Sequence, residues 1–400
     1  MKYTESVVTS QEPRFTMTGG VKLSQSKSEP EHRQVLVVGA GPGGSTVANR
    51  LAEEGLDVLV IERRQTIGNP AQCGECLPGW GEMSVAFPSI KHDSWLEDYW
   101  QFPDHILGQY LEWMRLFSPS MKEYGFELDC YGAHRLQFDG YLAEKASSQG
   151  AEFRTGVELR RVQNQTKLNR EVYLTNAGSF TADYVVDASG SLAHVARLRG
   201  RGERPGVQLP TIYGQVTGHD SDSFDIFMGS VAPRGYAWII PKGEIANVGI
   251  GVHYDNLDVP LKHRLDTFCE GLGLTLHSYG GGWIPLGGKV KSAVDGNVLS
   301  VGDAAGLVMP SNGGGIGQAI VSGKFAAESI ISNLQNDAPL NDYNKILSKT
   351  MAKQLKISRR SKNLFWTFCR NDFTTELAMR LLGTNGLRRA VDCRRPLIFL

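Results

Sequence analysis

Residues 34–38 (Gln-Val-Leu-Val-Val) run directly into Gly39-Ala40-Gly41-Pro42-Gly43-Gly44, and this junction constrains the fold more than any other feature of the 400-residue chain. A short continuous β-branched run fits a strand buried on both faces of a parallel sheet. Gly39, Gly41 and Gly44 follow G-x-G-x-x-G, which allows a tight turn, brings bare backbone up to a pyrophosphate and packs a helix closely on its strand. Small residues Ser45, Ala48 and Ala52 open that helix, whose N-terminal amides and dipole favour a diphosphate. Gly55 ends it, residues 57–61 supply a second strand, and Glu62 stands 23 positions after Gly39, where a carboxylate accepts from an adenosine ribose hydroxyl. Strand, glycines, helix, strand and acid together read as a dinucleotide-binding βαβ unit.

A second glycine-rich turn selects among dinucleotides. Residues 297–301 form an apolar strand entering Gly302-Asp303-Ala304-Ala305-Gly306, and Pro310-Ser311-Asn312-Gly313-Gly314-Gly315-Ile316-Gly317 then opens a small-residue helix over about 318–329. An aspartate at a strand end accepts from a ribityl hydroxyl, and a glycine-opened helix N-terminus stabilises negative charge on a reduced flavin ring. Both features favour a flavin over a nicotinamide. The chain has no second G-x-G-x-x-G for a tightly held nicotinamide, so electrons are expected from a transient donor: ferredoxin, NAD(P)H or a deazaflavin.

Lys plus Arg and Asp plus Glu both number 42, so the basic field that nucleic acid requires is missing and no such partner is expected. The charge is unevenly placed: residues 341–400 hold 13 basic and 4 acidic side chains, a net of +9, which leaves −9 elsewhere. That tail reads as helices over 343–356 and 363–382, ending in the apolar residues 396–400. Basic residues beside an apolar end suit peripheral contact with an anionic inner membrane surface; a solvated helical face and packing on the body or a second subunit are the alternatives. No 18-residue uncharged apolar run is present, and residues 1–31, rich in Ser, Thr, Gln and Lys, lack the apolar core of a secretory signal. They read as a mobile arm on a cytoplasmic protein. Six cysteines with one close pair, Cys73 and Cys76, and scattered histidines provide neither a disulfide framework nor a zinc set, so no metal is expected.

Residues 80–126 carry 11 aromatics, including four of the seven tryptophans. Two readings stay open: a roof over a long apolar cavity, or the packed core of an insertion. Residues 205–290 read as short strands between glycine turns, forming an antiparallel sheet that covers the cofactor. His134 and His194 read as structural.

Arg135 ahead of Phe138-Asp139 and Leu142, Val185-Val186-Asp187-Ala188-Ser189-Gly190 with Arg197, and both glycine turns together resemble FAD enzymes of the aromatic-hydroxylase type. Pro233-Arg234-Gly235-Tyr236-Ala237-Trp238-Ile239-Ile240-Pro241 is similar to the P-x-x-Y-x-W-x-F-P stretch of the geranylgeranyl reductases, with Ile240 replacing the Phe. Within that superfamily the chain most resembles this family, in its digeranylgeranylglycerophospholipid reductase branch, over residues 34–330. The resemblance implies an α/β fold with a Rossmann-type FAD-binding domain over 32–200, interrupted by the aromatic-rich insertion. An antiparallel β substrate domain over 201–290, a return segment over 291–335 and a basic helical region over 336–400 follow.

The resemblance also implies an FAD site built from Gly39, Gly41, Gly44, Glu62, Arg63, Cys73, Arg135, Asp187, Gly302, Asp303, Gly314, Gly315 and Ile316. Arg135 is expected on the flavin nucleotide, Asp303 on its ribityl chain, and Tyr236 and Trp238 on the substrate cavity beside the ring. Cys73-Gly74-Glu75 matches the family's Cys-Gly-(Asp/Glu), which places the Cys73 thiol near the ring; Cys76 departs from that pattern. For Cys73 the open roles are redox partner, proton donor, disulfide partner of Cys76 and small buried residue. The activity implied is saturation of C=C bonds in the geranylgeranyl chains of archaeal-type ether phospholipid precursors, by hydride transfer from reduced flavin and protonation. An isolated alkene has no carbonyl to stabilise a carbanion, so hydride and proton deliveries must be coupled, with Cys73 or a bound water as acid. The alternatives are a reductase of geranylgeranyl diphosphate or a chlorophyll-type ester, an FAD-dependent monooxygenase or halogenase, and a lipid carrier without turnover. The halogenase W-x-I-P signature is similar to residues 238–241, but Tyr236 stands where its first Trp belongs.

Overall fold

The computed structural model describes residues 29–165, 170–200 and 205–394. The expected arm up to residue 28 and the apolar end from residue 395 lie outside them. The first half runs β1 (Glu31–Val38), α1 (Pro42–Glu53), β2 (Val58–Glu62), β3 (Cys76–Pro78), α2 (Trp80–Ala86), α3 (Ser94–Tyr99), α4 (Asp104–Leu107), β4 (Gln109–Phe117) and β5 (Glu123–Gly132). It continues with α5 (Arg135–Ser148), β6 (Glu152–Thr155), β7 (Leu159–Gln165), β8 (Arg170–Thr175), β9 (Gly178–Asp187) and α6 (His194–Arg199). Then come β10 (Gln208–Thr217), β11 (Ser223–Phe227), β12 (Tyr236–Pro241), β13 (Ala246–Gly251), α7 (Leu261–Gly271), β14 (Thr275–Leu276) and β15 (Gly280–Pro285). The chain closes with β16 (Val294–Asp295), β17 (Val298–Ser300), α8 (Ile316–Asn336), α9 (Asp342–Phe368) and α10 (Asp372–Val391).

The glycine-entering strand sits at the centre of the first sheet, in the order β16-β17-β9-β1-β2-β6. β1 pairs in parallel with β2 on one side and β9 on the other. Its apolar run is therefore covered on both faces, with alternate residues diverging. Val35 and Val37 pack with Val47 and Leu51 of α1, whereas Leu36 and Val38 pack against Tyr173 and Phe180 of the β7–β9 extension. α1 and α8 approach at backbone distance: a Cβ on Gly323 would lie 2.7 Å from the carbonyl oxygen of Gly43. This contact brings the two glycine turns, about 270 residues apart in the chain, to one place.

The second sheet has the order β14-β10-β13-β12-β11-β4-β5-β3, with β15 also on β10. Its strands over 208–285 pair antiparallel, but the sheet also takes in β3, β4 and β5, and the β4–β11 junction is parallel. The aromatic segment thus divides. Trp100 and Phe102 join the core beneath the first sheet, where Phe102 meets Phe138 edge-on, while Tyr124 and Phe126 lie on β5 under α10.

The tail departs from the expected helices. α9 runs unbroken through 357–362, where no Gly or Pro interrupts it and tertiary contacts hold it. Ser358 there meets Ser311, and Lys362 donates to the Leu286 carbonyl at 3.0 Å. The break comes instead at 369–371, where the Asn371 side chain accepts from Thr374 N and Thr374 Oγ1 accepts from Asn371 N, a reciprocal cap that starts α10. Among the described residues no helix is long and apolar enough to cross a membrane.

Candidate functional site

Between the two glycine turns lies a cavity of about 400 Å³. Its floor is the first turn: Gly39 adopts φ +109°, and a Cβ there would strike the Ala188 carbonyl, so only glycine fits. Gly41, the N-cap of α1, has no side-chain cap and nothing within 4 Å of a built Cβ, leaving open space above helix amides that lack partners. Glu62 supports this turn from β2, accepting from Ala40 N at 3.0 Å and Arg64 N at 2.9 Å. A carboxylate has about four acceptor sites, so both oxygens keep capacity toward the cavity they line.

The far wall is the second turn. Gly302, Asp303, Gly315 and Ile316 line the cavity, and Gly315 caps α8 without a side-chain bond. A Cβ on Gly315 would stand 3.1 Å from Asp303 Oδ1, so this glycine keeps space beside the carboxylate. Burial pushes the Asp303 carboxyl up to about 6, against the pull of the Arg135 guanidinium. Among the described residues no protein donor reaches that carboxylate. An acceptor without a protein partner, half-buried on the cavity wall, suits a ligand hydroxyl.

Arg135, at the first turn of α5, lines the cavity and is held by Asp139 through two bonds of 2.8 and 2.7 Å. Cys73, half-buried, lines the same wall, and its Sγ accepts from Glu75 N at 3.1 Å. Burial raises the thiol above its ordinary value, opposed by Arg135. Arg63 is also in the lining. All six cysteines are free thiols, so Cys73 and Cys76 are not bridged.

Several residues expected in the site stand behind it. The Asp187 carboxylate accepts from Ser189 N, Ser189 Oγ and Ala196 N; it shapes the turn that carries Ser189, Gly190, His194 and Arg197 onto the wall but does not itself line the cavity. Gly44 and Gly314 are likewise absent from the lining. Gly44 packs on the Gly39 carbonyl, and Gly314 N donates to Asn312 Oδ1. Tyr236 and Trp238 lie one layer back. A Cβ on Gly313 would be 2.6 Å from Tyr236 Oη and one on Gly74 3.3 Å from Trp238 Nε1, so these two glycines separate the rings from the cavity. Tyr236 Oη donates to the Asn312 carbonyl and Trp238 Nε1 to Asn247 Oδ1. None of the 11 aromatics of residues 80–126 lines this cavity either. His194, read as structural, does line it, as do Arg64, Gln72, Trp283 and Ile284. The rim aromatic Trp283 had a signal only as part of a short strand.

The open backbone at Gly41, two uncapped helix N-termini and the unpartnered Asp303 fit a flavin dinucleotide. An ionised carboxylate accepts from a hydroxyl more strongly than the protonated acid does, so cofactor affinity is expected to hold above about pH 6 and to fall as pH drops through that value. Asp303→Asn should bind about tenfold more weakly at pH 8 and lose that pH step, as read by fluorescence titration of flavin into the apoprotein.

Comparison with known proteins agrees with this geometry. Residues 208–275 match the geranylgeranyl reductase catalytic domain family, and residues 37–79 an NAD(P)-binding Rossmann-like domain. A digeranylgeranylglycerophospholipid reductase of Thermoplasma volcanium is 33% identical over 79% of this chain and 83% of its own, and one of Picrophilus torridus 31% identical over 90% of both. Among solved structures, a geranylgeranyl bacteriochlorophyll reductase-like protein of Thermoplasma acidophilum superposes with a TM-score of 0.79 at 26% identity, covering 91% of this chain and 96% of that one. A flavin-dependent brominase, 20% identical over 90% of this chain and 92% of its own with a TM-score of 0.67, shares the fold. Related at this level along most of its length, the chain belongs to the digeranylgeranylglycerophospholipid reductase family of flavin-dependent oxidoreductases.

Proposed function

We propose that this protein is an FAD-dependent reductase that saturates the C=C bonds of geranylgeranyl chains on ether-phospholipid precursors. The observation that carries the reading is the meeting of the dinucleotide cradle, the unpartnered Asp303 and the Cys73 thiol around one cavity, in a chain of this family. Bound there, FAD would supply the hydride. The amides of α1 beyond Gly41 would hold the diphosphate, Glu62 the adenosine ribose, Asp303 the ribityl hydroxyls, and the N-terminus of α8 the anionic side of the ring. Cys73, which burial keeps protonated through neutral pH, would hold the proton for the second alkene carbon. An external ferredoxin, NAD(P)H or deazaflavin would reload the cofactor.

The +9 excess in residues 341–400 supports peripheral contact with anionic lipid, each nearby basic residue contributing about 1 kcal/mol. One experiment tests both parts. The enzyme, reduced anaerobically, is mixed with geranylgeranylated lipid in anionic vesicles; products heavier by successive two-hydrogen steps and co-flotation with the vesicles are expected. Unchanged lipid mass, or oxygen uptake coupled to a hydroxylated or halogenated product, would overturn the reductase reading. Equal flotation with neutral vesicles, or none, would overturn the membrane reading.

A further inference from the structure

Directly behind Cys73 lies a buried ion pair that the cofactor cradle does not use. Glu75 and Lys242 are 3% and 5% exposed, with Lys242 Nζ 2.5 Å from Glu75 Oε2. The same oxygen accepts from Gln215 Nε2 and Asn247 Nδ2, both at 2.9 Å, while Oε1 accepts from Arg135 N at 3.3 Å. Asn247 Nδ2 also donates to the Cys73 carbonyl at 3.3 Å, and His134 Nε2 lies 3.1 Å from the Lys242 carbonyl oxygen. One carboxylate thus ties the 73–75 loop to α5, to β10 and to the β12–β13 turn. Glu75 itself adopts φ +69°, a conformation that favours glycine, and its amide is the one that reaches Cys73 Sγ. Burial disfavours the carboxylate, but Lys242, Gln215 and Asn247 together outweigh it and hold the group below its usual range.

A buried ion pair contributes little net stability, because desolvation offsets the attraction. Its consequence here is placement: Arg135, whose amide the carboxylate accepts from, and Cys73, whose carbonyl is held by the Glu75-bound Asn247, are both on the cavity wall. We propose that the Glu75–Lys242 pair is a positioning unit that fixes the Cys73 thiol and the Arg135 guanidinium in the reaction site. The proposal rests on the reading of Cys73 as proton donor, but its test does not require turnover.

The groups facing the thiol are Arg135, backed by Asp139, on α5; Tyr213 on β10; Tyr236 on β12; and Glu75, backed by Lys242 and His134. Glu75→Gln removes a negative charge near the thiol, whereas Lys242→Met leaves that charge unopposed. The pH profile of Cys73 carbamidomethylation by iodoacetamide, localised by peptide fragmentation on the full chain with and without flavin, should shift down in the first variant and up in the second. Each shift is expected to be about one pH unit. A merely structural role moves both profiles the same way or neither, and either result overturns the proposal. Should a single variant fail to fold because it buries a lone charge, Glu75→Gln/Lys242→Met replaces it. That double variant should alkylate about threefold faster or more above the thiol's titration, because the loop is untied; an unchanged rate overturns the proposal. Failure of the wild-type enzyme to reduce any geranylgeranyl lipid would sink the functional reading while leaving these profiles decisive for the pair.

Discussion

Gly44→Ala should yield a colourless protein with a lowered melting temperature. The added Cβ would fall inside the carbonyl oxygen of Gly39 and 3.1 Å from the Ala188 Cβ. Its main obstacle is backbone in the central strand's exit turn, which cannot rotate aside as a side chain would. Overpacking of this kind costs about 1–3 kcal/mol, and the displaced turn no longer presents its amides. Gly41→Ala separates the two effects. Its Cβ meets nothing within 4 Å, so the fold should melt as before while the methyl occupies space needed by the diphosphate. The ratio of flavin to protein absorbance, with thermal melts of both variants, checks this. Full flavin retention by Gly44→Ala would refute the account of the turn.

Cys73→Ala should keep its flavin and accept electrons at the normal rate, yet lose about 10²–10⁴-fold in prenyl reduction, the usual contribution of a positioned acid. Stopped-flow flavin reduction and steady-state product mass distinguish the two half-reactions. The sign of the pH effect follows from the burial that raises the thiol. An acid must carry its proton, so turnover should be flat through neutral pH, where the thiol is protonated, and decline as pH rises past its elevated titration. The alanine variant should lack that decline. Unchanged turnover would reassign the proton to water.

The parts of the site legible in the sequence are those whose geometry is local. Gly39, Gly41 and Glu62 belong to one continuous strand-turn-helix-strand passage, and Asp303, Gly315 and Ile316 to another, so residue type and spacing suffice to place them. Tyr236 and Trp238 show where this reasoning ends. Their motif is visible, but the layer they occupy depends on Gly74 and Gly313 coming between them and the cavity, which is set by packing across three elements. The family resemblance implies Asp187 in the cofactor site, but its carboxylate accepts instead from Ser189 and Ala196. The second sheet was only half visible: residues 205–290 read as antiparallel strands, but nothing in the aromatic-rich passage shows that β4 and β5 extend that sheet, with β4 joining β11 more than 100 residues later. The continuity of α9 through 357–362 was not legible either, because it is held by the partners of Ser358 and Lys362 on other segments.

The route of the chain between the sheets has a consequence for how the protein comes to exist. β1 and β2 are made first, the chain then crosses to lay down β3–β5, returns for β6–β9, crosses again for β10–β15, and comes back only with β16, β17 and α8. During translation the nascent central strand must therefore wait for β9 before its second edge is sealed, and the pocket has no far wall until residue 316 leaves the ribosome. Neither layer is one continuous stretch of chain that could be cut out whole. Truncations that look harmless on a linear map should yield aggregating products rather than a smaller working enzyme.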